Sequence, residues 1–280
     1  MRHLGGKVAV VTGAASGIGR GLARRFGAEG MSVVVADVEP AALDETAALI
    51  REAAGVEVLA VRTDVSDPDA VESLAARTYE RFGAAHVVCN NAGVFQGGFL
   101  WERTEADWDW VFGVNVYGII HGIRSFVPRM LEQGGDGHVV NTASIAGLVT
   151  SGYSGPYSVS KFAAVALSES LAHDLRASNA SIGVSVLCPS AVNTRIGEST
   201  RNRTGPVPSE VDAPDAHFVE QALRDLTARG LEPDAVAGMV VDAIRAGQFY
   251  IPTNASYDEQ IRSRFDDMVG RRLPRMVAYD

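Results

Sequence analysis

Tyr157 and Lys161 are the residues of this 280-residue chain whose types and spacing first indicate chemistry. They begin a helical pattern that continues to about Ala177, and residues four apart lie on one face of a helix. A tyrosine with its ordinary pKa of about 10 is a poor base at neutral pH, but a neighbouring ammonium group favours its phenolate. The pair could therefore move a proton. By itself, however, this spacing is more often found in a packed surface pair.

A glycine-rich turn follows the first apolar run and leads directly into a helical segment. Gly13, Gly17 and Gly19 belong to this turn, together with Ser16 and Ile18. Glycine is needed where the backbone turns sharply or must approach a pyrophosphate, and the N-terminus of the next helix supplies free N–H groups. Such a turn could also need glycine for packing alone. Its position after the first strand nevertheless predicts a dinucleotide-binding site.

Asp37 ends the second apolar run, eighteen positions after Gly19. A carboxylate at this place accepts hydrogen bonds from both hydroxyls of an adenosine ribose and repels a 2′-phosphate. The nearby Ser16 and Val38 are not basic and would not attract that phosphate. The sequence therefore predicts NAD as the cofactor, with an NADPH-dependent carbonyl reductase as the alternative.

Short apolar runs alternate with helical segments along the chain, and these elements must position the residues described above. Strands that are apolar on both faces belong to parallel sheets covered by helices on both sides. The alternation predicts an α/β fold, a Rossmann-type doubly wound parallel sheet of about seven strands with helices on both faces. The predicted strands are 7–12, 32–37, 56–63, 86–90, 137–144, 182–189 and 248–252. Long helices are predicted over 104–132, where Thr104 and Asp107 can form a capping box, and over 157–177.

The chain has no internal repeat and no linker-like change in composition, so residues 1–280 are interpreted as one domain. The regular alternation fails only between 195 and 232, where Pro206, Pro208 and Pro214 interrupt a polar stretch that ends in a helical piece over 217–228. A loop this long inside a compact domain is usually functional or disordered. We interpret 195–232 as a substrate-binding loop and helix inserted in the domain.

Composition and charge exclude several classes of function. A net charge of −9 argues against a nucleic-acid partner, because phosphate binding needs a clustered basic surface. Cys89 and Cys188 lie in apolar runs and are predicted to be buried thiols rather than a disulfide or metal pair. No cysteine and histidine cluster has ligand spacing, so no metal site is expected. Without a membrane span or signal pattern, a cytoplasmic protein that does not bind membranes is expected.

Further motifs occur in order along the chain. They are Asp64-Val65, Asn90-Asn91-Ala92-Gly93, Asn115, Ser144, and Pro189 through Thr194. Together with the turn 12–19 and the pair Tyr157 and Lys161, they resemble the single-domain form of the short-chain dehydrogenase/reductase family over almost the whole chain. Each motif is weak alone, whereas the complete series is highly specific. The resemblance implies an enzyme that transfers a hydride between NAD and a secondary alcohol or ketone.

The resemblance also implies cofactor contacts at the ends of the third and fourth predicted strands. Asp64 and Val65 would contact the adenine ring. Asn91, Ala92 and Gly93 would close the fourth strand beside the cofactor. Without the other motifs, each of these segments could be no more than a turn at a strand end.

A final set of cofactor contacts is implied after the sixth predicted strand. The chain would turn sharply at Pro189, Val192 would line the site, and Thr194 would hydrogen-bond the nicotinamide carboxamide. Ser190 stands where the family often has glycine, which leaves the geometry of this turn open.

Four side chains are the predicted catalytic group. Hydride transfer leaves a proton to be moved on the substrate oxygen, so the protein must supply an acid or base. By the resemblance, Tyr157 would move this proton, and Lys161 would lower the pKa of Tyr157 and hold the nicotinamide ribose. Ser144 would orient the substrate oxygen, although it could simply cap a turn. Asn115 would hold a water against the lysine.

Substrate choice is predicted to depend on 145–153 and on the irregular stretch from 195 to about 230. These stretches carry apolar side chains that could cover an alicyclic or similarly bulky alcohol or ketone, or could be core: Leu148, Tyr153, Ile196, Phe218 and Leu223. A regulator that kept the cofactor site and lost activity is the rival from another class. The family resemblance implies a homo-oligomer, a tetramer or a dimer, assembled through the long helices.

Overall fold

The computed structural model describes residues 1–204 and 213–275, which contain a seven-stranded parallel sheet in the order β3-β2-β1-β4-β5-β6-β7. The strands are β1 (Val8–Thr12), β2 (Ser32–Asp37), β3 (Val58–Arg62), β4 (Val87–Asn90), β5 (Gly137–Thr142), β6 (Ile182–Cys188) and β7 (Tyr250–Pro252). The α-helices are α1 (Gly17–Ala28), α2 (Pro40–Ala54), α3 (Pro68–Phe82), α4 (Glu105–Phe112), α5 (Gly118–Gln133), α6 (Gly155–Ala177), α7 (Pro214–Thr227), α8 (Pro233–Ala246) and α9 (Asp258–Val269). The predicted fold class is confirmed.

Successive residues of each strand point to opposite faces of the sheet, and both faces are covered by helices. On one face, Ala9 and Val11 of β1 pack in a core with buried residues of α1, α2 and α8. On the other face, Val8 and Val10 pack with buried residues of α3, α5 and α6. This arrangement explains why the strands are apolar throughout rather than alternating.

Several predicted boundaries shift by one or two residues. β5 ends at Thr142, so Ser144 lies in the loop that begins a 3₁₀ turn, Ile145–Gly147, and not in the strand. The predicted helix over 104–132 begins with the expected capping box of Thr104 and Asp107, but a π-helical turn, Gly113–Tyr117, separates α4 from α5.

The predicted irregular stretch 195–232 contains more regular structure than expected. It begins with a 3₁₀ helix, Ile196–Asn202, and it includes α7, which starts at Pro214 rather than at 217 because proline fits the first turn of a helix. Pro206 and Pro208 lie outside the described residues.

The strand order reverses at β1, which pairs with β2 on one side and with β4 on the other. In doubly wound sheets, ligands bind at such a switch point, in the crevice beyond the carboxyl ends of the strands. Cys89 and Cys188 are buried and free, as predicted. Within 1–204 and 213–275, no helix is long and apolar enough to cross a membrane.

Candidate active site

A cavity of about 840 Å³ opens beyond the carboxyl ends of the strands, and all the predicted cofactor contacts line it. They are Gly13, Ser16, Gly17, Ile18, Gly19, Asp37, Asp64, Val65, Asn91, Ala92, Gly93, Tyr157, Lys161, Pro189, Val192 and Thr194. Ser144 also lines the cavity, whereas Asn115 is buried behind it. Parallel strands bring these residues together because their carboxyl ends lie at one edge of the sheet.

The N-terminus of α1 faces this cavity. Ser16, at the N-cap, makes no side-chain capping hydrogen bond, and the first turn has no acidic residue. The N–H groups and positive dipole end of this turn therefore fit the pyrophosphate of a dinucleotide. A Cβ at Gly19 would lie 2.0 Å from the Gly13 carbonyl oxygen, and a Cβ at Gly13 would lie 2.8 Å from the Cα of Ala92. The glycines are thus required by internal packing as well as by the anion-binding geometry.

Thr12 is a site-forming residue that the sequence analysis did not single out. Its buried Oγ1 accepts hydrogen bonds from the N–H groups of Asn91 (2.9 Å) and Ala92 (3.1 Å), and donates one to the Cys89 carbonyl (3.3 Å). These bonds fix the end of β4 against the end of β1. The sequence did carry one signal for this role, since Thr12 is a polar residue at the end of an apolar run.

The Asp37 carboxylate is oriented by the backbone around it. Its Oδ2 accepts a hydrogen bond from the Ala15 N–H (2.9 Å), and its Oδ1 accepts one from the Glu39 N–H (3.1 Å). Burial raises the pKa of Asp37, and these backbone hydrogen bonds oppose the rise. Each carboxylate oxygen has a second lone pair that can accept a ribose hydroxyl.

Tyr157 and Lys161 share the first turns of α6, and the lysine side chain lies close to the phenol ring. The Lys161 Nζ is 5.5 Å from the centroid of the Tyr157 ring and donates a hydrogen bond to the Thr142 carbonyl at 3.0 Å. Burial lowers the pKa of Lys161 to about 8. The ring of Phe95 packs against Tyr157 at 5.0 Å between centroids, which fixes the plane of the phenol. A buried ammonium this close acts on the phenol with little screening by water.

Ser144 has the capping role considered for it from the sequence, and its position leaves the proposed substrate contact open to it. Its Oγ accepts a hydrogen bond from the Ala146 N–H at 3.1 Å and therefore caps the 3₁₀ turn. The same oxygen is 3.5 Å from the Pro189 carbonyl. The hydroxyl lies at the cavity wall, where it can also donate to a substrate oxygen.

Asn115 lies in the π-helical turn, an element often found at functional sites. Its Oδ1 accepts from the Val94 N–H (2.8 Å), and its Nδ2 donates to the Val94 carbonyl (2.9 Å) and to the Ser160 Oγ (2.9 Å). The Ser160 hydroxyl in turn donates to the Tyr157 carbonyl at 2.7 Å. These bonds satisfy the amide inside the protein and connect it to the main chain of Tyr157.

Gly93 separates Asn115 from the lysine. A Cβ at this position would lie 3.4 Å from the Lys161 Nζ and 3.5 Å from the Asn115 Oδ1. The side chains of both residues therefore face the backbone of Gly93, which brings the predicted asparagine and lysine to one corner of the site.

The residues 194–204 and 213–231, here called the cover segment, supply much of the remaining cavity wall. One face of α7 lines the cavity at i, i+3, i+4 and i+7, through Val219, Ala222, Leu223 and Leu226. The predicted Ile196 and Leu223 do line the cavity. Phe95 and Tyr257, which the sequence analysis missed, complete its apolar part.

Three of the five predicted apolar residues do not line the cavity. Phe218 is 69% exposed because it lies off the inward face of α7, and Tyr153 is 44% exposed. Leu148 packs against the buried cluster of Ile145, Val149 and Tyr257. Leu148 thus fits the alternative of a core residue. Phe218 and Tyr153 fit neither alternative, because the sequence did not show which face of each turn points inward.

Buried ion pairs fasten the cover segment to the loop before α4 and to α4 itself. Arg203 contacts Asp107 at 2.6 Å, with side chains only 5% and 2% exposed, and Arg103 contacts Asp215 at 2.9 Å. Burial alone would raise the pKa of Asp107, but hydrogen bonds from Arg203 and Thr104 bring it below its ordinary value. In the described part of the chain, no group of three or more His, Cys, Asp or Glu residues could hold a metal ion.

The doubly wound sheet, the glycine turn and the cavity at the switch point define a dinucleotide-binding α/β protein. Residues 7–205 match the family described as short chain dehydrogenase. The chain is 40% identical over 280 residues to the 1-deoxy-11-beta-hydroxypentalenate dehydrogenase of Streptomyces arenae, covering 97% of this chain and 90% of that protein. It is 32% identical over 281 residues to the C alpha-dehydrogenase of Sphingobium sp. strain SYK-6, covering 98% and 89%.

A solved structure is also similar. The crystal structure of a short chain dehydrogenase/reductase from Burkholderia phymatum in complex with NAD has 42% sequence identity and a TM-score of 0.94, with 99% of each chain covered. The chain belongs to the short-chain dehydrogenase/reductase family, as the motifs predicted. It is therefore an oxidoreductase of a family that binds nicotinamide cofactors and acts on alcohol groups.

Proposed function

We propose that the protein is an NAD-dependent dehydrogenase that interconverts a secondary alcohol and a ketone, with an alicyclic or similarly bulky substrate. The observation that carries this proposal is that one cavity joins the N-terminus of α1 and Asp37 to Ser144, Tyr157 and Lys161. The first two features fit a dinucleotide, and the last three fit proton transfer at an alcohol oxygen.

NAD is favoured over NADP by charge at the end of β2. The Asp37 carboxylate keeps free lone pairs for ribose hydroxyls and lies in the cavity wall. The Asp37 carboxylate would repel a 2′-phosphate. The NAD complex of the Burkholderia phymatum relative supports the same choice.

The bound nicotinamide would accept or supply the hydride. In the oxidation, the Tyr157 phenolate takes the hydroxyl proton of the substrate, and in the reduction the phenol returns it. Lys161 stabilises the phenolate because its buried ammonium lies close to the ring. Ser144 donates a hydrogen bond to the substrate oxygen and orients it. Asn115 acts as a positioning residue, since it reaches the main chain of Tyr157 through Ser160.

The substrate part of the cavity favours a bulky apolar molecule. Its wall combines the apolar face of α7 with Phe95, Ile145 and Tyr257, and the hydroxyls of Ser151 and Ser199 add polarity. The name of the Streptomyces arenae relative, a hydroxypentalenate dehydrogenase, supports an alcohol as the reacting group. We also interpret residues 1–280 as one domain in which 195–232 binds substrate. We expect a homo-oligomer, because Leu131 of α5, Val159 of α6 and Tyr117, which immediately precedes α5, are exposed.

A screen of secondary and alicyclic alcohols with NAD or NADP, followed at the nicotinamide absorbance, tests the proposal. Turnover with NAD is expected. In Asp37→Ala, two charge-assisted hydrogen bonds to the ribose are lost, so kcat/KM for NAD should fall about 100-fold while that for NADP does not fall. Asp44→Ala, an exposed carboxylate of α2, is the control and should change neither value.

Two other outcomes would overturn the proposal. Turnover with NADPH alone would establish the carbonyl reductase. Dinucleotide binding with no turnover of any alcohol or ketone would favour a regulator that has lost activity.

A further inference from the structure

Glu39 connects the strand that carries Asp37 to the cover segment. Its Oε1 accepts hydrogen bonds from the Arg201 Nε (3.1 Å) and the Asn202 Nδ2 (2.9 Å). The same oxygen lies 2.9 Å from the Arg201 Nη2 in an ion pair. The donors are more than 160 positions away in the sequence. Two hydrogen bonds and an ion pair to one carboxylate oxygen from two consecutive residues are more than an incidental surface contact.

The 3₁₀ helix that carries Arg201 and Asn202 passes along the cofactor part of the cavity. It starts just after Thr194, whose Cγ2 would be 2.9 Å from a Cβ placed on Gly17 in the phosphate-binding turn. It ends beside Glu39, whose backbone N–H donates a hydrogen bond to the Asp37 carboxylate. The helix therefore runs from the pyrophosphate end of the groove to the adenosine ribose end, and residues on both sides line the same cavity.

Arg201 also braces its own helix. Its Nη1 donates hydrogen bonds to the carbonyls of Arg195 and Glu198, both at 3.0 Å. The guanidinium thus joins the Glu39 carboxylate to two backbone groups of the 3₁₀ helix at once. A movement that breaks the contact with Glu39 would release the helix as one unit.

Two neighbouring contacts at the C-terminal end of this helix differ in burial. Arg203 is held by Asp107 in a pair that is 5% and 2% exposed, whereas Arg201 and Glu39 are 25% and 26% exposed. A buried pair is costly to break, and a partly exposed pair is worth far less because water can replace it. The contact at Arg203 is suited to a permanent anchor, and the contact at Glu39 to one that opens.

We propose that Glu39, Arg201 and Asn202 form a clasp that holds the cover segment over the bound dinucleotide and must open before the dinucleotide leaves. The clasp sets the residence time of the cofactor and takes no part in hydride or proton transfer. This inference rests on the proposed function only in that a nicotinamide dinucleotide occupies the groove. Loss of a clasp of this exposure should raise the dissociation rate roughly 3- to 10-fold.

The experiment measures the dissociation of NADH by stopped-flow fluorescence, with an excess of non-fluorescent NAD to prevent rebinding. The variants are Glu39→Gln, Arg201→Met and the double variant. The charge changes are opposite in the two single variants. If simple attraction of the anionic cofactor controlled release, Glu39→Gln would slow it and Arg201→Met would speed it. A clasp requires that both variants speed release and that the double variant is no faster than the faster single one.

Glu45→Gln is the matched control, because it removes a carboxylate from α2, the helix that follows Glu39, and the partner of Glu45 is Arg20 and not the cover segment. Arg201→Lys should restore part of the residence time, since one donor remains. Rates that stay at the wild-type value in both single variants, or that change in opposite directions, overturn the clasp alone. If the wild-type protein binds neither NADH nor NADPH, the proposed function and the clasp are overturned together.

Discussion

The strand ends and the cover segment form opposite walls of the cavity, and they are held in place by different interactions. The strand ends are held mainly by hydrogen bonds of backbone N–H and carbonyl groups. For example, the Thr12 hydroxyl accepts hydrogen bonds from the N–H groups of Asn91 and Ala92. In the cover segment, ion pairs between distant side chains predominate, as between Arg203 and Asp107. The wall at the strand ends therefore has a fixed geometry, whereas the ion pairs of the cover segment differ in how easily they break.

The proposed proton transfer and the proposed substrate selectivity lie in different walls of the cavity. Proton transfer needs a donor and acceptor that do not move relative to one another, and Lys161 and Tyr157 are fixed by one buried helix packed on the sheet. Cofactor exchange and substrate entry need a wall that can separate from the rest. Partly exposed ion pairs permit that separation at low cost.

The largest expected effect is the loss of turnover on substitution of Tyr157. Tyr157→Phe removes the hydroxyl that we propose transfers the proton, and keeps the ring that packs against Phe95, so kcat should fall by about 10³-fold or more. The dissociation constant of NADH should change less than about threefold, because the hydroxyl acts on the substrate oxygen. Steady-state kinetics and a fluorescence titration measure the two quantities. Tyr153→Phe is the control, and retained turnover in Tyr157→Phe would refute the catalytic assignment.

The second prediction concerns the anchor of the cover segment. Arg203→Met leaves the Asp107 carboxylate buried without its cation, and the free energy of unfolding should fall by about 3 kcal/mol. Proteolysis of the cover segment should accelerate, and the substrate KM should rise. Arg195→Met, which breaks a pair that is about half exposed, should cost less than about 1 kcal/mol.

The anchor also has a pH dependence with a definite sign. Because the pKa of Asp107 is below its ordinary value of 3.8 in the folded protein, its contribution to stability is present above that value. The contribution is lost as the pH falls through the lower, folded-state pKa. The stability difference between wild type and Arg203→Met should therefore shrink in strong acid, as measured by denaturant unfolding.

The third prediction separates catalysis from stability within the fixed wall. Burial lowers the pKa of Lys161 from 10.5 to about 8, which corresponds to roughly 3 kcal/mol against the charged form in the folded state. Lys161→Met removes this penalty and loses the hydrogen bond to Thr142, worth about 1 kcal/mol. Turnover should be lost, while the free energy of unfolding at pH 7 rises by up to about 2 kcal/mol.

The sign of this effect can be checked with pH. Below pH 8, Lys161 is charged in both the folded and unfolded states, and the full penalty applies. Between pH 8 and 10.5 the folded protein loses the proton first, so the advantage of Lys161→Met should decline over that range. A large loss of stability in Lys161→Met at pH 7 would contradict the account.

The smallest expected effect is at the turn after β6. Ser190 does not have a positive φ, and its N–H and hydroxyl both contact the Thr253 hydroxyl, at 3.0 and 3.2 Å. Ser190→Gly should therefore lower the free energy of unfolding by less than about 1 kcal/mol and change NADH affinity less than threefold. Isothermal titration calorimetry measures the affinity, and a larger change would place Ser190 in direct contact with the cofactor.

The sequence by itself determined the family, the doubly wound sheet and the side chains at the strand ends. Parallel strands bring their carboxyl ends to one edge, so a strand that ends in Asp37 and another followed by Asn91 must face the same crevice. The four-residue spacing of Tyr157 and Lys161 places them together on any helix. These relations are local or follow from the topology of the sheet, so they can be predicted from the sequence.

Only the tertiary structure decided how the cover segment is arranged. The pairing of Glu39 with Arg201, and of Asp107 with Arg203, joins charges that no periodicity relates. The inward face of α7 likewise followed from its packing, which turned Leu223 toward the cavity and Phe218 toward solvent. Side-chain pairs between distant segments depend on the position of each helix in the folded chain, and a sequence pattern does not predict that position.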